Sequence, residues 1–382
     1  MRMRICHVIT RLILGGAQEN TILTCRGLHQ RGHDVTLVTG PAIGPEGELL
    51  SQARRDGYRV IVLDDMRREI NLLRDRKVRR RLVSLLLEIR PDVMHSHSSK
   101  AGILARAAGR EVGGMKIVHT VHGLPFHPYQ GRLLNWFYIM LERRAARRAD
   151  AIVCVADAMT RQALAAGVGR AEQYTTIYSG MEVEPFLART GEADAFRAGL
   201  NLPAGAVLVT QVSRLAELKG HEFILQAAAK IANPNVHFCF VGDGALRPDI
   251  ERRIESMGLS GRFHLTGLLA PERMPAVMHA TDILVHCSLR EGLARTLPQA
   301  MLAGRPVVSF DVDGAAEVVN ARTGVLLRPR DSDGLAAAID RLALDAEQRS
   351  RLGQAGREQC RRRFDWRVMV EQIESLYQRI GV

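Results

Sequence analysis

The chain has 382 residues, 46% hydrophobic and 25% charged, which is ordinary for a globular protein and long enough for two domains. No stretch reaches the ~18 uncharged apolar residues of a membrane span, and six scattered cysteines without a CxxC pair argue against a disulfide framework. The net charge of +12 lies almost wholly in residues 1–190, with 29 Lys+Arg against 18 Asp+Glu, so an anionic partner such as lipid head groups competes with a merely solvated, Arg-rich surface as its explanation.

The N-terminal MRMRICHVIT is too short in its apolar run for a secretory signal. It reads as a first strand, Arg4–Thr10, and the protein is expected in the cytoplasm. Gly15-Gly16-Ala17-Gln18 follows, then a helical stretch, Glu19–Gln30. Further strands are predicted at Asp34–Thr39, Arg59–Leu63, Asp92–His97, Lys116–His122, Ala151–Val155 and Tyr174–Tyr178. Helical spacing at Asp75–Ile89 and Leu133–Arg148 separates them. Strands alternating with helices imply βαβ units and a parallel sheet.

His95 and His97 are two apart on a strand and share a face. Two imidazoles suggest zinc, yet no nearby Cys or carboxylate completes a familiar ligand set. Ordinary hydrogen-bonding histidines are the competing reading, and no metal is expected. His122 closes its strand and precedes Gly123, Leu124 and Pro125, which puts it at a strand's carboxyl end. In Gly123–Arg148, aromatic and apolar residues lead into Glu-Arg-Arg-Ala-Ala-Arg-Arg. The segment is either a core helix with a basic end or a contact with an anionic membrane, to which Arg79-Arg80-Arg81 would add charge.

The stretch Gly180–Pro203 has little periodicity and reads as a boundary and hinge. The pattern then restarts, with strands at Ala206–Val212, Val236–Val241, Arg262–Leu265, Ile283–Ser288 and Pro306–Phe310. Arg214 and Lys219 share the loop after the first of these. They are solvated surface cations or a clamp for a diphosphate, Arg by its planar fork and Lys as a point charge. A second strand end carries Glu291-Gly292-Leu293-Ala294, with Gln299 about two turns into the helix it opens. A carboxylate there can accept from sugar hydroxyls, and small residues let backbone N–H groups approach phosphate. Asp311-Val-Asp313 has metal-motif spacing but falls in a loop after the next strand. The tail, Trp366–Ile380, reads as an amphipathic helix.

The order Gly-Gly loop, Arg-x4-Lys, then Glu-Gly with an amide eight residues after the Glu resembles the family 4 retaining glycosyltransferases of the GT-B fold. Phe240-Val-Gly-Asp-Gly244, Leu265-Thr-Gly-Leu268 and Phe364-Asp-Trp366 are similar to that family's base-pocket strands and returning segment. The resemblance covers the whole chain. It implies an α/β protein of two Rossmann-like, doubly wound domains facing across a cleft: residues 1–182 for the acceptor, 183–363 for the nucleotide sugar, and 364–382 as a helix returning to the first.

By this resemblance Arg214, Lys219, Glu291 and His122 form the catalytic set. Gly15, Gly16, Gly242, Leu268, Glu291, Gly292, Leu293, Ala294 and Gln299 join Arg214 and Lys219 in holding the donor. Gln18, His97 and His122 meet the acceptor. It further implies retention of configuration, UDP or GDP as the nucleotide, no cofactor, a polyprenyl-linked hydroxyl acceptor, peripheral placement on the inner membrane face, and no nucleic acid. Gln299 stands where the family has a second Glu for the ribose. A charge-assisted hydrogen bond there is worth ~1.5–3 kcal/mol and a neutral one ~1, so weaker ribose binding is expected. Ser179 stands where Asn is common. The alternatives are a nucleotide-sugar epimerase, which needs further acid–base carboxylates, and a basic nucleic-acid-binding protein, for which no stacking motif is present.

Overall fold

A computed structural model describes residues 2–43 and 47–382. It divides into a front unit, Met1–Met181 with Phe364–Val382, and a back unit, Glu182–Arg363.

The front unit holds seven strands: β1 (Arg4–Ile9), β2 (Asp34–Thr39), β3 (Arg59–Val62), β4 (Val93–His97), β5 (Lys116–Val121), β6 (Ala151–Cys154) and β7 (Tyr174–Thr176). They form one parallel sheet in the order β3-β2-β1-β4-β5-β6-β7. Their residues are buried in near-continuous runs because helices cover both faces. The helices Gly16–Gln30 and Trp366–Arg379 bury Ile22, Leu28, Met369 and Ile373 on one face. The helices Leu72–Ile89 and Ser99–Val112 bury Val78, Leu82, Ala101 and Ala105 on the other. Strand order reverses between β1 and β4, and this topological switch is where doubly wound sheets bind ligands. The pairing of β1 with β4 sets His7 beside His95.

The back unit repeats the design with six parallel strands: β8 (Val207–Val212), β9 (Val236–Val241), β10 (Phe263–Gly267), β11 (Ile283–His286), β12 (Val307–Phe310) and β13 (Gly324–Leu327). Their order is β10-β9-β8-β11-β12-β13, so its switch lies between β8 and β11.

Three local expectations change. The predicted hinge is not irregular throughout: it holds the helix Gly191–Gly199, with Ala193 and Phe196 buried and Arg197 bonded to the Ala280 carbonyl and Asp282. Two buried apolar side chains in nine residues are too few to show a period. The chain instead enters and leaves the back unit at neighbouring points. Met181 N–H donates to the Phe364 carbonyl at 2.8 Å and Trp366 N–H to the Met181 carbonyl at 3.2 Å. Strand β13 escaped notice because only four residues pair on the sheet edge, flanked by Arg and Asp. The helix after Glu291 opens only at Thr296 and runs to Leu302, so Gln299 lies in its first turn.

Candidate active site

The loops after β8, β9, β11 and β12 meet at the carboxyl end of the back sheet. Gly220, with φ near +74°, lets the β8 loop lie against β11's exit: a Cβ there would stand 1.9 Å from the Cys287 carbonyl oxygen. Gly242, at φ near +137°, does the same for β9, since a Cβ would meet the Ser213 carbonyl at 2.1 Å. Gln211 Nε2 donates to Ser213 Oγ at 3.1 Å and to the Lys219 carbonyl at 3.0 Å, fixing the loop that carries Arg214 and Lys219.

This packing brings Lys219 and Glu291 together. Lys219 Nζ donates to Glu291 Oε1 at 2.5 Å, with each side chain about 20% exposed. His286 Nε2 lies 3.6 Å from the same oxygen. Burial alone would raise the Glu291 carboxyl, but Lys219 and His286 outweigh it and hold the group below the usual carboxylate range. Burial pushes His286 down to about 4, so it is neutral at pH 7. Arg214 stands exposed in the same loop, five residues before Lys219.

The residues just after β11 spend their backbone groups on tertiary partners, which is why the helix starts late. Leu289 N–H donates to the Leu218 carbonyl at 2.8 Å, Glu291 N–H to Asp313 Oδ2 at 2.6 Å, and Gly314 N–H to the Gly292 carbonyl at 3.3 Å. Leu218 and Asp313 both adopt left-handed backbone conformations, a strain that persists only where neighbours over-determine it. Asp313 therefore has a site role that its position in sequence did not suggest. It orients the backbone of Glu291 and lies close to Arg290. Leu293 and Ala294 are buried beside this loop, and Gln299 is half-buried. Gly242 N–H donates to the Gly267 carbonyl at 2.9 Å, which places Leu268, 55% exposed, next to the β9 exit.

In the front unit Gly15 precedes the helix Gly16–Gln30, and its carbonyl accepts from Gln18 and Glu19 at 3.1 and 3.0 Å. His122 lies one residue beyond β5, half-buried. His97 is fully buried, with its ring nitrogens against His7 Nδ1 at 2.9 Å and His122 Nε2 at 3.2 Å. It cannot touch a substrate directly, so the acceptor contact assigned to it passes to His122. His7 was missed because it is 90 residues from His97, and only the pairing of β1 with β4 brings them together.

A family model described as glycosyl transferases group 1 matches residues 192–359, and one described as glycosyltransferase family 4 matches residues 14–185. The chain is 31% identical to a Streptomyces fradiae 2-deoxystreptamine N-acetyl-D-glucosaminyltransferase over 87% of this chain and 82% of that one. It is 28% identical to an Escherichia coli UDP-Gal:alpha-D-GlcNAc-diphosphoundecaprenol alpha-1,3-galactosyltransferase, over 90% of this chain and 89% of that one. Among solved structures, Anabaena Alr3699/HepE in complex with UDP-glucose matches with a TM-score of 0.84 and 24% identity, covering 99% of this chain and 100% of that chain. These likenesses show the GT-B fold and an enzyme of the hexosyltransferase type. The chain belongs to the family 4 glycosyltransferases.

Proposed function

We propose that this chain transfers a hexose-type unit from a UDP- or GDP-sugar to a hydroxyl of a lipid-linked glycan, with retention and without a metal. The Lys219–Glu291 pair at the back sheet's switch point carries the reading. Expelling a diphosphate requires fixed positive charge where negative charge develops. An ammonium has three N–H donors, so Lys219 can hold Glu291 and still offer hydrogen bonds to phosphate, with Arg214 beside it in the loop. Glu291, kept ionised, accepts from the sugar hydroxyls. Gly242 and Leu268 border the base, Gln299 takes the ribose, and Gly15 and Gly16 approach the phosphates. His122 contacts the donor sugar, and Gln18 the acceptor. Retention follows from family membership and a front-face displacement, in which the acceptor attacks alongside the departing phosphate. The E. coli relative's name supports a UDP-sugar donor and a lipid-linked acceptor.

A melting-temperature screen of UDP- and GDP-hexoses tests the donor. A ligand that binds only the folded state adds ~2.7 kcal/mol at a hundredfold excess over its Kd. The matching donor raises Tm, and transfer continues in EDTA. No shift with any of these nucleotides, or activity lost to EDTA and restored by Mg2+, overturns the reading.

The acceptor's lipid places the enzyme at a membrane, and one helix is suited to that contact. In Arg132–Ala146 the exposed Leu133, Trp136, Phe137 and Met140 form a stripe at helical spacing, which continues into the exposed Arg144 and Arg147. Leu133 is 85% exposed and Trp136 63%. No helix among the described residues is long and apolar enough to cross a membrane. The stripe instead lies in the interface, apolar side chains below and arginines at anionic head groups. Each arginine adds ~1 kcal/mol near such a surface. Arg144→Ala with Arg147→Ala therefore weakens sedimentation with anionic vesicles about thirtyfold at low salt. Equal binding to neutral vesicles sinks the idea.

A further inference from the structure

His7, His97 and His122 form a hydrogen-bonded chain that runs from the centre of the front sheet to the exit of β5. His7 Nδ1 meets His97 Nε2 at 2.9 Å, and His97 Nδ1 meets His122 Nε2 at 3.2 Å. The rings are stacked, with centroids 5.2 and 5.4 Å apart at 20° and 25°. His7 and His97 have no exposed surface. Burial pushes His7 down to about 3, and burial plus the neighbouring histidines His95, His7, His122 and His119 hold His97 well below its ordinary value. Both are therefore neutral, with one N–H each.

A chain of neutral imidazoles can be polarised in only two senses. In one, His7 Nδ1–H donates to His97, His97 Nδ1–H donates to His122 Nε2, and His122 carries its own proton on Nδ1. In the other, every proton moves to Nε2 and each bond reverses. The inner end decides between them. His7 Nε2 is buried and has no hydrogen-bond partner. In the first sense it is a bare lone pair, and in the second an orphaned N–H. Buried donors without a partner are rarer than under-satisfied acceptors, so the first sense prevails.

We propose that His7 and His97 are positioning residues that fix the tautomer of His122, so that His122 meets the donor sugar or its diphosphate as an Nδ1–H hydrogen-bond donor. This rests on the assignment of His122 to the donor. It explains why a polar pair occupies the middle of a sheet whose other core positions are apolar: the pair transmits a hydrogen-bond direction from a buried end to a half-buried one.

Zinc is the rival occupant, since the nitrogens of His7, His95 and His97 lie within 4.8 Å of one another. A metal needs lone pairs that converge on one point. Here the three rings stack at 4.5–5.2 Å and 20–34°, so their lone pairs run side by side. His95 is also engaged at both nitrogens, by Tyr377 Oη at 2.6 Å and Thr120 Oγ1 at 2.7 Å.

The test uses the full chain labelled with 15N-histidine, since long-range 1H–15N correlations identify each tautomer without substrate. Wild type is expected to show His122 protonated at Nδ1. His7→Asn keeps that state, because the Asn amide reaches the position of Nδ1 and still donates. His7→Val removes the donor, mixes the tautomers and lowers kcat about tenfold with KM little changed, the effect of one lost hydrogen-bond preference. Should Val at position 7 prevent folding, His97→Gln breaks the chain instead, as its amide reaches His7 but not His122. An Nε2–H tautomer in wild type, identical behaviour of the Val and Asn variants, or His7, His95 and His97 resonances shifted by equimolar Zn2+ overturns the positioning role. Transfer undiminished in His122→Ala overturns the donor contact itself.

Discussion

Glu291→Ala abolishes sugar transfer while leaving nucleotide binding intact or tighter. The carboxylate is held ionised by Lys219 at 2.5 Å, and its backbone is held by Asp313 at 2.6 Å, so it is fixed before any sugar arrives. Two sugar hydroxyls donating to it would each contribute ~1.5–3 kcal/mol, so their loss lowers kcat/KM by roughly 10²–10⁴. The diphosphate responds in the opposite direction. With Glu291 gone, Lys219 loses its counter-ion and its full charge is available to phosphate. UDP or GDP should then raise the melting temperature of the variant at least as much as that of wild type. This opposed pair of results separates sugar recognition from loss of fold. More than a tenth of wild-type transfer in Glu291→Ala, or loss of nucleotide binding together with activity, refutes the role.

What the sequence revealed here, and what it hid, divides by the range of the interaction. Runs such as Asp34–Thr39 and Val236–Val241 are strands to the residue, because buried parallel strands need uninterrupted apolar side chains and that demand is local. The joining of Lys219 to Glu291 was legible only as two strand-end motifs, since 72 residues separate them and the register of β8 against β11 makes the contact. Asp313 was set aside as a loop residue because its use is a backbone hydrogen bond, which no side-chain motif announces. His7 and His286 were passed over for a similar reason. A single histidine in an apolar run looks like any core residue until a neighbouring strand supplies its partner. The start of the helix at Thr296 was misplaced because competition from tertiary hydrogen bonds, and not weak propensity, delays it.

Glu142→Ala costs the protein ~3–5 kcal/mol of stability, the range for removing one partner of a buried ion pair. Arg106 is 1% and Glu142 7% exposed at the side chain, and Arg106 Nη2 meets Glu142 Oε2 at 2.8 Å. The Arg106 Nε–H is spent on the Gly102 carbonyl at 2.9 Å. Truncating Glu142 therefore leaves a guanidinium in the interior that cannot turn to water. The pair itself is not a large net gain, because desolvating two charges offsets most of their attraction. Arg106→Met combined with Glu142→Leu should accordingly lie within ~1–2 kcal/mol of wild type in urea melts, far better than Glu142→Ala alone. The pair joins the helix Ser99–Val112 to Arg132–Ala146, the helix whose outer face bears Leu133, Trp136, Phe137 and Met140. An apolar helix face turned to water would gain by rolling inward. A buried charge pair resists that rotation, since any roll separates ions that have no other partner. The double variant should then keep its stability yet bind anionic vesicles less well, because its helix is free to bury the stripe. If the single variant loses under ~1 kcal/mol, the pair is solvated in solution and does not hold the helix.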